Sequence, residues 1–445
     1  MTETRDRMAI VGAGPVGLGA AKALQHAGIP YDQFDADVGV GGNWRHGVFE
    51  TTHIISSRKT TELPDFPMPD TYPEFPSRGQ MLAYLEDYAR HFDLGSGIQF
   101  ETTIVHIRPV EDERWELTFD SGERRIYKGV LVCNGHHWSR RWPEYPGEFS
   151  GEMIHTKDYK SPDQLRGKRV LVIGGGNSAC DVASEAARVG AASHISQRRG
   201  YWILPKTLFG VPTVELVKPW MPLGLQRLVL RIALRIVVGK YTQYGLEEPD
   251  HRIFERHPTI NSELLYYLKQ GTLTPHPDIA RFDGQTVEFV DGVRERFDIV
   301  VCATGYHVAY PFLADGLVEV RGPIPQVHGG SMLPEYKHLY LVGWGQVRYG
   351  FGPLVTPGME LLAKIIQLQD TMELPLGYVL KRLGDKVPTT HLLDPHESLR
   401  NIRRGHRRLW LLSRAEKFLR TRSQDLRVHP PLPFPADGPE PLEAF

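Results

Sequence analysis

A run of small residues in the spacing G-x-G-x-x-G/A follows a short apolar run twice in this chain. Met8-Ala-Ile-Val11 leads into Gly12-Ala-Gly14-Pro-Val-Gly17, and Arg169-Val-Leu-Val-Ile173 leads into Gly174-Gly-Gly176-Asn177-Ser178-Ala179. Each apolar run reads as a parallel strand buried on both faces. Helical apolar spacing follows each loop, to His26 in one case and to about Val189 in the other. A strand that turns directly into a helix needs a first residue that tolerates a tight turn and a second that lets backbone approach a ligand. The third must be small enough for the helix to lie on the strand. The two loops stand about 160 residues apart. This duplication constrains the chain to an α/β fold with two Rossmann-like units. A sheet-like segment at 339–342 follows the second unit, so that unit reads as an insertion into the first. That assigns 1–160 and 303–428 to the first unit and 161–302 to the second, with a helical insertion at about 205–260. Residues 429–445, rich in Pro and acidic groups, read as a tail.

A helix N-terminus after such a loop offers unpaired N–H groups and a partial positive charge, the chemistry that holds a pyrophosphate. Contacts are therefore expected from Gly12, Gly14 and Gly17 in the first loop, and from Gly174, Gly176, Asn177 and Ser178 in the second. The following strands end differently. Asp35 closes the strand at 31–34, where a carboxylate accepts both ribose hydroxyls. Arg198 and Arg199 stand at the corresponding place in the second unit. Guanidinium forks bind a 2′-phosphate bidentately where a carboxylate would repel it, so this loop is expected to take NADPH rather than NADH. Arg199 is the stronger candidate, and a solvated basic turn is the plainer reading of the pair. The stretch Gly39-Val-Gly-Gly42-Asn43-Trp44 follows the first loop and is suited to lie along a flavin, which assigns FAD there.

The formal net charge is -1, so no global field recruits nucleic acid or an anionic membrane. Cys133, Cys180 and Cys302 form no C-x-x-C pair and read as buried apolar thiols. The 19 histidines show no H-E-x-x-H or His/Cys ligand spacing, and no metal is expected. Residues 1–7 are short and charged and run straight into a strand, so the expectation is a cytosolic enzyme.

Between the loops lies Phe149-x-Gly151-x-x-x-His155-x-x-x-Tyr159, preceded by Pro146-Gly147. Together with the second-loop G-x-G-x-x-A, the Gly41-Gly42-x-Trp44 stretch and the linker Ala303-Thr304-Gly305-Tyr306, this run makes the chain resemble the flavin-containing monooxygenases, a class B flavoprotein family. The likeness extends from about residue 7 to about 370. His257-Pro-Thr-Ile-Asn-Ser262 and Leu264-Leu-Tyr-Tyr267 are similar to stretches of bacterial members. The resemblance implies an NADPH- and O2-dependent enzyme with FAD, oxygenating nitrogen or sulfur of small molecules through a flavin hydroperoxide. Thr304 and Gly305 belong to its cofactor-binding linker, and a homodimer is common in such proteins. Related Baeyer–Villiger monooxygenases, which act on ketones, end the same fingerprint with Trp, so Tyr159 favours an amine or sulfide over a ketone. A flavin reductase or oxidase is the further alternative. His155 is expected to be a hydrogen-bonded linker residue rather than a base. Trp344, Gln346 and Tyr349 follow the last strand, where ligands collect in such sheets, and are read as cavity lining or as core.

One departure stands out. Family members carry an active-site Asn in Thr-Asn-x-x-Lys, upstream of Phe-x-Asp-Phe-Pro. The segment here is His53-Ile-Ile-Ser-Ser57-Arg-Lys59, before Pro64-Asp-Phe-Pro67. Aligned on the Lys, Ser56 replaces the Asn; aligned without a gap, Ile55 does. Ser56 and Ser57 are the candidates for a substitute hydrogen-bond donor, and capping of a turn is the plainer role for both.

The stretch 223–238 is apolar with Arg227, Arg231 and Arg235 four apart, which puts three cations on one helical stripe. It is too short and too charged to span a bilayer. It reads first as a surface helix or cavity lid, with membrane-surface binding the alternative. The basic stretch 400–427 reads as a solvated helix packed on the body.

Overall fold

Each strand–loop–helix unit seeds a five-stranded, all-parallel sheet. The computed structural model describes residues 4–218 and 220–422, so the expected tail lies outside the described residues. The strands of the two sheets are β1 Met8–Val11, β2 Tyr31–Phe34, β3 Ile98–Gln99, β4 Gly129–Val132, β5 Glu152–His155, β6 Arg169–Ile173, β7 Ala192–Ser196, β8 Leu273–His276, β9 Ile299–Cys302 and β10 Leu339–Leu341. The first sheet has the order β10-β4-β1-β2-β3 and the second β8-β7-β6-β9-β5. In both, the strand that opens the glycine turn is central and the chain leaves it in opposite directions. Such a reversal opens a crevice at the carboxyl ends of the strands, where ligands bind. The strand β5, in a segment assigned from sequence to the first unit, pairs with β9 and forms the edge of the second sheet.

Successive side chains on a strand point to opposite faces, and both sheets use this to build two cores each. Met8 and Ile10 pack toward the helices α1 Pro15–His26 and α4 Gly352–Gln369, while Ala9 packs toward an antiparallel meander at Ile104–Val110, Arg114–Phe119 and Arg124–Tyr127. In the second unit, Val170 and Val172 face α2 Asn177–Val189, and Leu171 and Ile173 face the meander Ile279–Asp283, Thr286–Phe289 and Arg294–Arg296. That double burial is why the strands read as unbroken apolar runs. Between β7 and β8 the chain makes an excursion that carries α3 Leu223–Val237.

The fingerprint joins the units. Phe149 packs against Phe282 of the second meander. Gly151 has no room for a side chain, since a Cβ there would stand 2.7 Å from the Phe149 ring. His155 is fully buried; its Nδ1 accepts from the Lys157 N–H at 3.1 Å, which leaves Nε2–H to donate to the Gly305 carbonyl at 3.1 Å. The Tyr159 hydroxyl donates to Glu185 of α2, and Thr51 from the first unit donates to the same carboxylate. The two linkers between the units also run side by side, Tyr306–His307 pairing antiparallel with Ser139–Arg140. His155 is thus a linker residue, and none of Phe149, His155 and Tyr159 lines the large cavity described below. Removing the Tyr159 hydroxyl strips a buried carboxylate of one of its two donors, which costs about 1.5–3 kcal/mol for a bond to a charged group. Tyr159→Phe should therefore lower the free energy of unfolding by that amount, read as a lower urea midpoint at unchanged dependence on denaturant; an unchanged midpoint would contradict this staple.

Candidate functional site

The two glycine turns repeat one geometry. Gly12 has φ +106°, and a Cβ on it would stand 2.5 Å from the Cys133 carbonyl oxygen that follows β4. Gly174 has φ +131°, and a Cβ there would stand 2.5 Å from the Ala303 carbonyl oxygen that follows β9. Each turn is pressed against the end of a neighbouring strand, so only glycine fits. The second glycine of each turn is open: nothing lies within 4 Å of a Cβ on Gly176, and for Gly14 only the Gly42 Cα approaches, at 3.7 Å. At the third position a Cβ on Gly17 would lie 2.0 Å from the Gly12 carbonyl oxygen, whereas Ala179 is accommodated in the second turn. The backbone is therefore bare at Gly14 and Gly176, at the N-termini of α1 and α2, an arrangement suited to an anion.

Around the first turn, Asp35 accepts from the N–H of Ala13 at 2.5 Å and of Asp37 at 2.8 Å. Burial raises the pKa of its carboxyl, and these two N–H groups oppose the shift. Gly42, at φ +54°, folds back onto Gly14, and the helical turn Asn43–Gly47 carries Asn43 and Trp44 into the cavity wall. Around the second turn, Arg198 is exposed and Arg199 half-buried, and neither has an ion pair among the described residues. The Arg199 Nε is buried without a partner, and its guanidinium stands 5.4 Å from the Tyr201 ring. Arg141 completes this basic cluster; its pKa is lowered by burial and by Arg198 and Arg199. It donates to the Thr304 carbonyl at 2.8 Å, and Thr304 bonds back to it. Arg141 escaped the sequence reading because it lies outside every glycine motif.

The segment similar to bacterial family members has a definite task. The Ile260 N–H donates to Asn177 Oδ1 at 2.7 Å, Thr259 Oγ1 donates to the Gly175 carbonyl at 2.7 Å, and Asn261 Nδ2 donates to Asp181 at 2.7 Å. This strand braces the second turn from behind. Ser178 and Asn177 both face the cavity.

Both turns open into one continuous cavity of about 2940 Å³. Its wall includes Asp35, Trp44, Arg199, Thr304, Gly305 and Gln346, residues from both ends of the chain. Trp344 and Tyr349 also line it, the former anchored by an Nε1–H bond to the Gly330 carbonyl at 2.9 Å. Ile55 and Ser56, the two positions aligned with the family's Asn, both line it as well. Ser56 is almost fully buried, with its Oγ 2.7 Å from Thr61 Oγ1. Ser57 does not face the cavity: it starts the short helix Arg58–Thr61, with its hydroxyl 3.2 Å from Thr60 Oγ1. The capping role holds for Ser57 and not for Ser56.

Titratable groups with no site role assigned from sequence also meet here. His257 and His391 have pKa values pushed down to about 4 by burial, and burial likewise lowers that of His136, so these imidazoles are neutral at pH 7. His136 donates from Nδ1 to the Gly343 carbonyl at 3.0 Å, leaving Nε2 buried and without a partner, as is His391 Nδ1. Lys157 lines the cavity within the fingerprint; its Nζ donates to Asn43 Oδ1 at 3.3 Å, and burial pushes its pKa down to about 8. All three cysteines are buried with raised pKa values, as inert thiols are. Away from the cavity, His194, His276 and Glu295 bring ligand-type atoms within 4.8 Å of one another, a juxtaposition with no sequence signature. Each is already engaged: the two imidazoles pair at 2.9 Å, and Glu295 pairs with Arg169 at 3.0 Å.

The lowered pKa of Lys157 has a sign that can be tested. The folded protein binds fewer protons at this group than the unfolded chain does between about 8 and about 10.4, so stability rises with pH across that window. The urea midpoint of the wild type should gain on that of Lys157→Met as the pH is raised through it. A difference independent of pH would show that the group titrates normally.

Residues 5–328 match the flavin-binding monooxygenase-like family. Flavin-containing monooxygenase 5 of Homo sapiens is 32% identical over 354 residues, covering 72% of this chain and 66% of that protein. The chain thus spans just under two thirds of that relative's length. Among solved structures, closed cyclohexanone monooxygenase aligns with a TM-score of 0.73 at 16% identity, over 93% of this chain and 99% of that one. OTEMO in complex with FAD and NADP aligns with a TM-score of 0.67 at 17% identity, over 83% of this chain and 87% of that one. These two likenesses are of fold. The family match runs from ahead of β1 to beyond β9 and so takes in both glycine turns and the fingerprint: this chain belongs to the flavin-binding monooxygenase-like family.

Proposed function

We propose that this protein is an NADPH- and O2-dependent FAD monooxygenase that oxygenates soft nucleophilic nitrogen or sulfur of small molecules. The observation that carries this reading is that two glycine turns, one followed by a carboxylate and one by arginines without an ion pair among the described residues, open into a single cavity. In this reading the unit of the first sheet holds FAD through Gly12, Gly14, Gly17, Asp35 and the Gly42-Asn43-Trp44 turn. The unit of the second sheet, residues 161–302 with the edge strand β5, holds NADPH through Gly174, Gly176, Asn177, Ser178 and Arg199. Arg198 and Arg141 add positive charge, and Thr304, Gly305 and Gln346 line the space between. The fit is supported by bare backbone at Gly14 and Gly176 and by the orphaned Arg199 Nε. The complex of OTEMO with FAD and NADP, which shares the fold, supports the same cofactor pair.

Bound flavin, reduced by the nicotinamide, supplies the activation of O2. The task left to the chain is to orient the substrate and to exclude water. A soft nucleophile attacks without a strong side-chain acid or base, and the neutral His136, His257 and His391 suit such a site. Ser56 shares one hydrogen bond with Thr61, so one of the two hydroxyl protons stays free to donate into the cavity. Tyr159, which closes the fingerprint, favours nitrogen or sulfur over a ketone.

The deciding experiment is an anaerobic NADPH titration of the purified protein, followed by O2 with a thioether or a cyclic ketone. Bleaching of a yellow protein and formation of sulfoxide are expected. A colourless protein that refuses FAD, or lactone as the sole product, would overturn the reading. Arg199→Ala should raise KM for NADPH by about 10–100-fold while leaving that for NADH unchanged, as expected for lost charge-assisted bonds to a 2′-phosphate. Ser56→Ala should raise the H2O2 released per NADPH consumed at constant flavin content; unchanged coupling would remove Ser56 from the active site.

A further inference from the structure

Helix α3 has three faces rather than two. Gln226, Leu230, Ala233 and Leu234, at i, i+4, i+7 and i+8, are buried against the body. A second apolar stripe, Leu225, Leu228, Val229, Ile232 and Ile236, at i, i+3, i+4, i+7 and i+11, faces outward. Leu228 is 51% exposed, Ile232 52% and Ile236 71%, and Trp220, just ahead of the helix, is 74% exposed. Arg227, Arg231 and Arg235 form the third face, beside the outward stripe. Arg227 bonds to the Ile253 carbonyl at 2.8 Å, but neither Arg231 nor Arg235 has an ion-pair partner among the described residues. From 216 to 246 the sequence holds Lys218, Arg227, Arg231, Arg235 and Lys240 and no carboxylate, although the whole chain has a formal charge of -1.

We propose that α3, together with Trp220, docks this protein on the surface of an anionic phospholipid bilayer. A continuous exposed apolar stripe marks an interaction surface. The local run of unpaired cations selects the partner: an interfacial helix buries Leu, Ile and Trp at the headgroup boundary while arginines meet anionic lipid. The length of α3, 15 residues, suits lying in that plane and not crossing it. Among the described residues no helix is long and apolar enough to cross a membrane. On its inward face Gln226 Oε1 accepts from the cavity-lining Tyr349 at 3.3 Å. The docked surface therefore lies about one helix diameter from the cavity wall.

The test uses the full-length protein and sedimentation with vesicles of phosphatidylcholine alone or mixed equally with phosphatidylglycerol, alongside light scattering of the free protein. Binding to the mixed vesicles only, weakened by salt, is expected. The pair Arg231→Gln with Arg235→Gln should weaken it about 25-fold, at roughly fivefold per basic residue. The exposed pair Ile232→Gln with Ile236→Gln should weaken it by a similar factor with folding and basal NADPH oxidation unchanged. No binding, or equal binding by wild type and both variants, overturns the proposal. So does a dimer that the isoleucine variant dissociates while vesicles fail to bind, which would assign the stripe to a second copy of the chain.

Discussion

The architecture depends on a backbone carbonyl pressed against a bare α-carbon, made once in each half of the molecule. The oxygen that follows β4 stands where a side chain of Gly12 would be, and the oxygen that follows β9 does the same at Gly174. Because the neighbouring strand ends against the turn, the helix that follows must start at the carboxyl edge of the sheet, with its unpaired N–H groups directed outward. Every other feature of the candidate site is placed relative to those two edges. The open second glycines, the Asp35 carboxylate and the arginine pair all lie at strand ends because the turn leaves the chain nowhere else to put them.

Two such units do not by themselves make a redox enzyme; their crevices must face one space. Here that arrangement is held by buried polar contacts rather than by apolar packing alone. His155 bonds the linker carbonyl at Gly305, Glu185 gathers hydroxyls from Tyr159 and Thr51, and the linkers at Ser139–Arg140 and Tyr306–His307 form a two-stranded ribbon. Directional bonds specify a relative orientation that a greasy interface would leave free to slide. The fingerprint is therefore a statement about domain geometry, and Phe149, His155 and Tyr159 lie outside the cavity they help to form.

Much of the fold was legible because its signals are local. The strands β2 and β6 fall at 31–34 and 169–173 as expected, and α1 and α2 follow their glycine loops and end at His26 and Val189, where their helical spacing ends. Other assignments needed the third dimension. Strand β5 pairs in the second sheet although it precedes that sheet's central strand in sequence, since pairing depends on where the linker leads and not on adjacency. Of two neighbouring serines that looked alike in sequence, Ser56 meets the cavity and Ser57 caps a helix, a difference set by the turn between them. Arg141, His136 and His391 lie outside every motif, and Lys157 and His257 lie inside motifs that do not single them out; the altered proton affinities of all five come mainly from burial that only the assembled walls provide.

By itself, the amino-acid order determined that this chain makes two dinucleotide turns of a flavin-binding monooxygenase. Glycine spacing, strand periodicity and the fingerprint are short-range patterns whose physics acts within a few residues. Only the tertiary structure decided that both turns share one cavity, that the arginine pair lines it, and that the other described residues leave the outward stripe of α3 uncovered. Those outcomes depend on which surfaces meet after the chain has folded, and distant segments settle that through burial and hydrogen bonding.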